Sequence, residues 1–292
     1  MNINDFDFKE EKNKIESGVL YLVATPIGNM SDISERAIKV LKGVDFVAAE
    51  DTRNSGKLLS GFGIKQNYIT YHEHNKAESG SKIADLLCSG KSIALVTDAG
   101  MPAISDPGED LVRLCAERDI KITCVTGACA LTTALVLSGL NTRRFSFEGF
   151  LSAQSSERKS FLEKIKEDDR TLIFYEAPHK LKTTLGDMLS ILGNRKIALC
   201  RELTKLNEEI CRTTLSEAVE IYETKAPRGE YVLVVEGAKK EVDSDWADLT
   251  IDEHIDFYIN TLGISKMDAI KKVAKDRGVP KGDIYKQTIN KK

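Results

Sequence analysis

Three carboxylates stand where apolar runs come to an end: Glu50, Asp51 and Asp98. A carboxylate so placed can take a proton as a general base, cap a helix, or pair with Arg53 or Arg201, and residue type alone leaves all three open for each. Asp98 opens the densest stretch of turn chemistry in the chain, Asp98-Ala-Gly100-Met101-Pro102-Ala-Ile104-Ser105-Asp106-Pro107-Gly108. Other apolar runs stop at Thr25-Pro26, Thr126-Gly127-Ala128 and Tyr175-Glu176-Ala177. Gly and Ala at such points let backbone N–H and C=O groups approach a ligand closely, which suits a cofactor held by main chain and shape more than by charge. No G-x-G-x-x-G follows Thr25 or Thr97 and no G-x-x-x-x-G-K-[ST] occurs, which argues against a nicotinamide Rossmann site and a P-loop.

The elements that must position these residues are buried strands followed by helices. Ser92 to Thr97 is a continuous apolar run of the kind a strand covered on both faces needs, and Asp106 and Pro107 suit the start of a helix carrying Leu111, Val112, Leu114 and Cys115. Strand signals recur at 18–25, 44–49, 69–72 and 120–126, with helices expected from Asp32 to Leu41 and from Ala77 to Cys88. That alternation predicts a parallel α/β sheet with right-handed crossovers. In such a sheet ligands sit at the carboxyl ends of the strands, where Asp98 to Ser105 falls. The rhythm pauses at 139–144. A second α/β unit then starts at Phe145–Phe150, with a helix near 156–166, strands at 170–175 and 196–200, and a last strand within 229–237.

The expected organisation is therefore an arm (1–17), two α/β domains (18–140 and 141–239) and a helical extension (240–292) with helices near 251–262, 265–275 and 281–289. The arm is crowded with Asp, Glu and Lys and has no apolar segment of signal-peptide type. Of 292 residues, 41% are hydrophobic and 30% charged, and no uninterrupted apolar span is long enough to cross a bilayer, so the reading is a cytoplasmic protein with no membrane partner. Six cysteines form no C-x-x-C pair and mostly sit in apolar runs, as reduced core residues do; no metal site is expected, and His72-Glu73-His74 reads as a polar surface pair. Net charge is −3 but uneven: 241–256 holds seven acids and no cation, while 265–292 holds nine Lys or Arg against three Asp. That basic end, with Lys271, Lys272, Lys275 and Lys281, is suited to phosphates.

Six motifs now come together in order. Leu22-Val-Ala-Thr25-Pro26-Ile27-Gly28-Asn29, Ala49-Glu50-Asp51-Thr52-Arg53, the Asp98 loop, Phe145 to Phe150, Phe174-Tyr175-Glu176-x-Pro178-His179 and Arg201-Glu202-Leu-Thr204-Lys205 resemble the tetrapyrrole methylase superfamily, and within it the members that methylate small-subunit ribosomal RNA. The resemblance runs from about Gly18 to Gly237. It implies S-adenosylmethionine folded into a cleft between two α/β domains, a homodimer, and methyl transfer to the ribose 2′-oxygen of a cytidine in the decoding region of small-subunit rRNA, free or in the assembled subunit. Carried over by position, Pro26, Asp98, Ala99, Gly100, Met101, Ile104, Ser105, Ala128 and Tyr175 are the cofactor-side candidates. Glu50, Asp51 and Asp98 are the catalytic candidates, because a 2′-hydroxyl is a weak acid and needs an acceptor for its proton. Arg53, His179, Arg201 and Glu202 join the basic tail as the RNA-side candidates.

Thr126-Gly127-Ala128 stands where the family usually carries Pro-Gly-Pro, and Met101 where Thr is common; the first change should leave its loop more mobile. Two rivals are a superfamily methyltransferase acting on a small molecule or protein residue, and a non-catalytic ribosome-assembly protein that keeps the fold. For the latter, replacement of Asp98 would be silent; for an enzyme it would abolish transfer.

Overall fold

The computed structural model describes residues 14–239 and 249–289. Residues 1–13 of the expected arm, 240–248 of the acidic linker, and 290–292 lie outside the described residues. The chain divides into two units, one running to Ala238 and one from Lys239.

The first unit holds two five-stranded sheets. Its first half runs β1 (Val19–Val23), α1 (Glu35–Gly43), β2 (Phe46–Ala49), α2 (Thr52–Gly61), β3 (Tyr68–Thr70), α3 (Lys76–Cys88), β4 (Ile93–Val96), α4 (Gly108–Glu117), β5 (Lys121–Val125) and α5 (Ala130–Ser138). The five strands are parallel, in the order β3-β2-β4-β1-β5. β1 and β4 are apolar on both faces because helices cover both, and separate cores form on either side of the sheet. The helix expected from Asp32 starts later: Met30–Asp32 is a single 3₁₀ turn, and Ser34 caps α1 by accepting from the Ala37 amide at 3.0 Å.

The second half runs β6 (Phe145–Phe150), α6 (Ser155–Lys164), β7 (Thr171–Glu176), α7 (Pro178–Leu192), β8 (Lys196–Arg201), β9 (Glu209–Thr214), α8 (Leu215–Thr224) and β10 (Tyr231–Val235). Its sheet is ordered β6-β7-β10-β8-β9 and is mixed: β6 and β7 are parallel, while β10 runs antiparallel to both its neighbours and β9 is antiparallel to β8. Helices α6, α7 and α8 cover one face. The other face carries α5, whose Leu131, Ala134 and Leu135 pack on Ile173, Ala198, Cys200, Val232 and Val234. Ile27 and Ile104, from loops of the first sheet, join that same cluster. These contacts hold the carboxyl ends of the first sheet's strands against the second sheet.

The second unit has α9 (Ile251–Leu262), α10 (Lys266–Asp276) and α11 (Lys281–Ile289) around Ile255, Tyr258, Ile270, Val273 and Ile284. Thr250 and Glu253 form a capping box at the start of α9, Gly263 ends it in the left-handed region at φ 63°, and Ser265 caps α10. No helix among the described residues is long and apolar enough to cross a membrane. All six cysteines are free; Cys115 and Cys200 are buried, but Cys88 and Cys124 are exposed, because one ends a helix and the other lies on the edge strand β5.

Candidate active site

β4, β1 and β5 are neighbours in the first sheet, so the loops leaving their carboxyl ends meet. Thr25 and Gly100 exchange backbone hydrogen bonds at 2.9 and 3.1 Å, and the Thr25 hydroxyl donates to the Thr97 carbonyl at 3.3 Å. Beyond this stitch the Asp98 loop turns sharply, with Gly100 at φ 87°, Ala103 at 68° and Ser105 at 61°. Left-handed backbone at Ala and Ser costs on the order of 1 kcal/mol per residue, so something must hold it. The Asp106 carboxylate does so by accepting from the amides of Ala103 (3.0 Å), Ile104 (3.3 Å) and Gly108 (2.7 Å), the last being the first residue of α4. Asp106→Ala is expected to lower unfolding stability by about 1–2 kcal/mol, read by urea denaturation, with weaker ligand binding in the cleft that the loop borders.

Between this loop and the second sheet lies a cleft of about 510 Å³. One wall is Ile27, Glu50 and Thr97 to Met101 with Ile104, Ser105 and Asp106; the other is Phe150, Tyr175 to Pro178, Cys200, Leu203, Lys205 and Glu230 to Val232, with Cys129 and Ala130 at the start of α5. The lining is largely apolar with a few polar groups converging on it, as small-molecule sites are.

The carboxylates in the cleft divide by partner. Glu176, only 2% exposed, is held by Thr184 (2.5 Å) and Lys180 (3.0 Å), and Glu230 by Lys205 (2.9 Å). Those two are neutralised in place. Asp98 takes a single long bond from Asn54, at 3.4 Å. Glu50 is exposed toward the cleft, yet partial burial, then the negative charges of Asp98 and Asp106, push its pKa up, with His72 opposing. Tyr175 stands edge-on to Phe147 (4.9 Å) and Phe150 (5.5 Å), and burial pushes its hydroxyl up to about 12, so it stays protonated.

Of the cofactor-side candidates, Asp98, Ala99, Gly100, Met101, Ile104, Ser105 and Tyr175 line this one cleft. Pro26 is buried behind it, and Ala128 sits in the adjoining loop with its carbonyl facing Gly100. Glu50 and Asp98 of the catalytic candidates line the cleft; Asp51 does not. Asp51 instead caps α2, accepting from the Arg53 amide at 2.8 Å and pairing with the Arg53 guanidinium at 3.2 Å. Arg201 pairs with Glu209 across the β8–β9 hairpin, and Glu202 accepts from Lys205 in the hairpin's loop and from the Glu230 amide just before β10, so these RNA-side candidates are engaged in holding the second sheet's end together. His179 is exposed on the first turn of α7, and Lys271, Lys272, Lys275 and Lys281 are exposed on the second unit. Phe150, Lys205, Cys129 and Ala130 line the cleft without having been singled out; two of them lie within motifs quoted above. The rings of His72 and His74 are 5.9 Å apart, and no cluster of three or more metal-ligating side chains occurs among the described residues.

The sequence pattern of the tetrapyrrole (corrin/porphyrin) methylases matches residues 19–219. The chain is 51% identical over 273 residues to the ribosomal RNA small subunit methyltransferase I of Halalkalibacterium halodurans, covering 92% of this chain and 94% of that protein. It is 49% identical to the protein of the same name from Bacillus subtilis (93% and 94% covered) and 41% identical to that of Synechocystis (93% and 98%). Among solved structures it resembles a cobalamin biosynthetic enzyme, cobalt precorrin-4 methyltransferase, with a TM-score of 0.56 at 17% identity (75% of this chain, 95% of that chain). Uroporphyrin-III-C-methyltransferase from Thermus thermophilus follows with a TM-score of 0.54 at 18% identity (75% and 94%). At such identities the two structures share this chain's fold.

Proposed function

The chain belongs to the tetrapyrrole methylase family, in the group of the ribosomal RNA small subunit methyltransferases I, and on that premise we propose that it moves the methyl group of S-adenosylmethionine onto small-subunit rRNA, at the ribose 2′-oxygen of a cytidine in the decoding region. What carries the reading is 41–51% identity to relatives of that name over nine-tenths of the chain.

The cleft fits a cationic cofactor. Apolar walls and the Tyr175 ring suit an adenosine, and Glu50 and Asp98, which have no cationic partner among the described residues, suit a positive sulfur. Gly100 keeps the floor clear: a Cβ there would meet Ile27 Cγ2 at 3.1 Å. The chemistry supplied by bound S-adenosylmethionine is a methyl group already activated on a sulfonium, so alignment dominates the rate. Met101, Ile104 and Tyr175 would fix the donor side, and the stitched Thr25–Gly100 pair would keep that wall from yielding. Glu50, which has no cationic partner among the described residues, would accept the proton of the attacking hydroxyl at a carboxylate oxygen.

The second unit also carries positive charge. Lys272, Lys275 and Lys281 are exposed there, and we place them on RNA phosphates. Replacing the three with Ala is expected to weaken binding to small subunits and to flatten its salt dependence by about 2 in the log–log slope, since each lost phosphate contact removes roughly 0.7–0.9. The same proposal has the chain acting in the cytoplasm as a homodimer, so sedimentation would report twice its 32.4 kDa. Its direct test is transfer of labelled methyl from S-adenosylmethionine to small subunits from cells lacking this protein, with the modified nucleotide mapped. Label on one cytidine ribose is the expected result. Absence of label with cofactor bound points to another substrate, and absence of both to an assembly protein.

A further inference from the structure

Beside the cleft, α2 and the edge strand β3 enclose a second groove, of about 610 Å³. We propose that this groove holds the sugar–phosphate backbone of the single-stranded RNA flanking the target nucleotide, an inference that rests on RNA being the substrate.

Position comes first. α2 begins two residues after Glu50, and Asn54 on its first turn donates to Asp98 in the cleft, so the groove starts where the cleft wall ends. Its α2 wall is a stripe at helical spacing, with Arg53 and Lys57 one turn apart and Gly56 and Ser60 one turn apart. Facing the stripe are Lys65 from the following loop and Tyr68 on β3. A Cβ at Gly56 would lie 3.9 Å from the Tyr68 hydroxyl, so the small residue leaves that hydroxyl at the groove floor. Burial pushes the Tyr68 pKa up, which keeps the hydroxyl a donor.

Charge decides the occupant. The groove is lined by three cations and no carboxylate. Arg53 is paired with Asp51, but Lys57 and Lys65 have no carboxylate partner among the described residues. The whole chain is net negative and the cleft itself presents Glu50, Asp98 and Asp106, a field that repels phosphate. A polyanion whose one nucleotide must reach that cleft therefore needs cations at its margin, and this groove carries them. Cations with hydroxyl donors beside them match a phosphate backbone.

The test compares wild type, a K57E/K65E variant and a K57R/K65R variant, using purified small ribosomal subunits that lack the modification. Subunit affinity is measured across a salt series, and KM and kcat for methyl transfer are measured in parallel. Charge reversal is expected to raise both Kd and KM at least tenfold, to leave kcat within twofold and cofactor affinity unchanged, and to flatten the log–log salt slope by about 1.4, two contacts at roughly 0.7 each. The arginine pair should restore all of these, and K182E on α7 should change none. Ultraviolet crosslinking should join the 52–68 peptide to a nucleotide. Unchanged Kd, KM and slope in the reversed variant overturn the proposal, as does a crosslink from that peptide to a ribosomal protein. Wild type that binds subunits in a Lys57- and Lys65-dependent way yet transfers no methyl would overturn the function proposed above and leave the groove standing; wild type that binds no subunits overturns both.

Discussion

Glu50→Gln is expected to cut kcat by about 10²- to 10⁴-fold, the range that a positioned general base contributes, with subunit affinity close to wild type. The physical case is that Glu50 has, among the described residues, neither a cap nor a cation to serve, whereas Asp51 caps α2, Asp106 holds the Asp98 loop, Glu176 and Glu230 are paired with lysines, and Asp98 takes a bond from Asn54. Partial burial and the charges of Asp98 and Asp106 raise its pKa above the ordinary carboxylate value, which makes it a stronger base than a free glutamate. The pH dependence follows in sign. Below its raised pKa Glu50 is protonated and accepts nothing; the rate should climb with pH through that pKa and level off above it, and Asp98→Asn should move the midpoint down by removing one of the charges that raise it. In E50Q the climb should vanish. Stability runs the other way. Because the folded state binds this proton more tightly than the unfolded one, the contribution of Glu50 falls as pH rises through the folded pKa, so E50Q should not lower Tm at neutral pH. A large loss of kcat with Tm unchanged is the signature expected; a profile in E50Q that keeps its climb would move the base role to Asp98.

Much of this arrangement is readable from residue pattern, and the parts that are not have identifiable causes. The apolar runs that become β1, β4, β7 and β10 are unmistakable because they are buried on both faces, but for the same reason they carry no mark of direction: β10 is antiparallel to both neighbours, and the expected α/β unit is a mixed sheet. α2 escaped notice because Thr-Arg-Asn-Ser-Gly-Lys shows little apolar period, and its one signal was Asp51, for which a helix cap was only one of three readings left open. α5 escaped for the opposite reason. Ala-Leu-Thr-Thr-Ala-Leu-Val-Leu-Ser is apolar nearly all round, with Leu131, Ala134 and Leu135 packed on the second sheet and Val136 exposed on the other side, so no single face stood out. β9, an edge strand of mostly polar residues, gave no apolar run. The small-residue loops lie at the strand ends that border the cleft, whereas Phe150 and Lys205 reach it through tertiary packing of the second sheet, which no local pattern encodes.

The prediction that tests the cleft's construction, as distinct from its chemistry, is Gly100→Val. Gly100 is buried where three loops meet: it exchanges hydrogen bonds with Thr25, and an added Cβ would lie 3.1 Å from Ile27 Cγ2 and 3.7 Å from the Ala128 carbonyl. Its φ of 87° is open to glycine and a steep outlier for a β-branched residue. Left-handed backbone at a non-glycine residue costs about 1–2 kcal/mol, and Val adds two methyls with no space to take them, so a loss of at least 2 kcal/mol in unfolding free energy is expected. The chain can escape that cost only by breaking the Thr25–Gly100 bridge and swinging the Asp98 loop outward, which displaces Asp98, Met101 and Ile104 from the wall together. S-adenosylmethionine affinity, measured by calorimetry, should therefore fall at least 100-fold in G100V and by a smaller factor in G100A, which has the φ penalty and a single methyl. The decisive comparison is with Asp106→Ala, which loosens the same loop from its other end without adding bulk. If the cofactor lies against this wall, both variants lose affinity and G100V loses more; if G100V binds as wild type does, the cofactor lies elsewhere, and the convergence of these loops serves the fold alone.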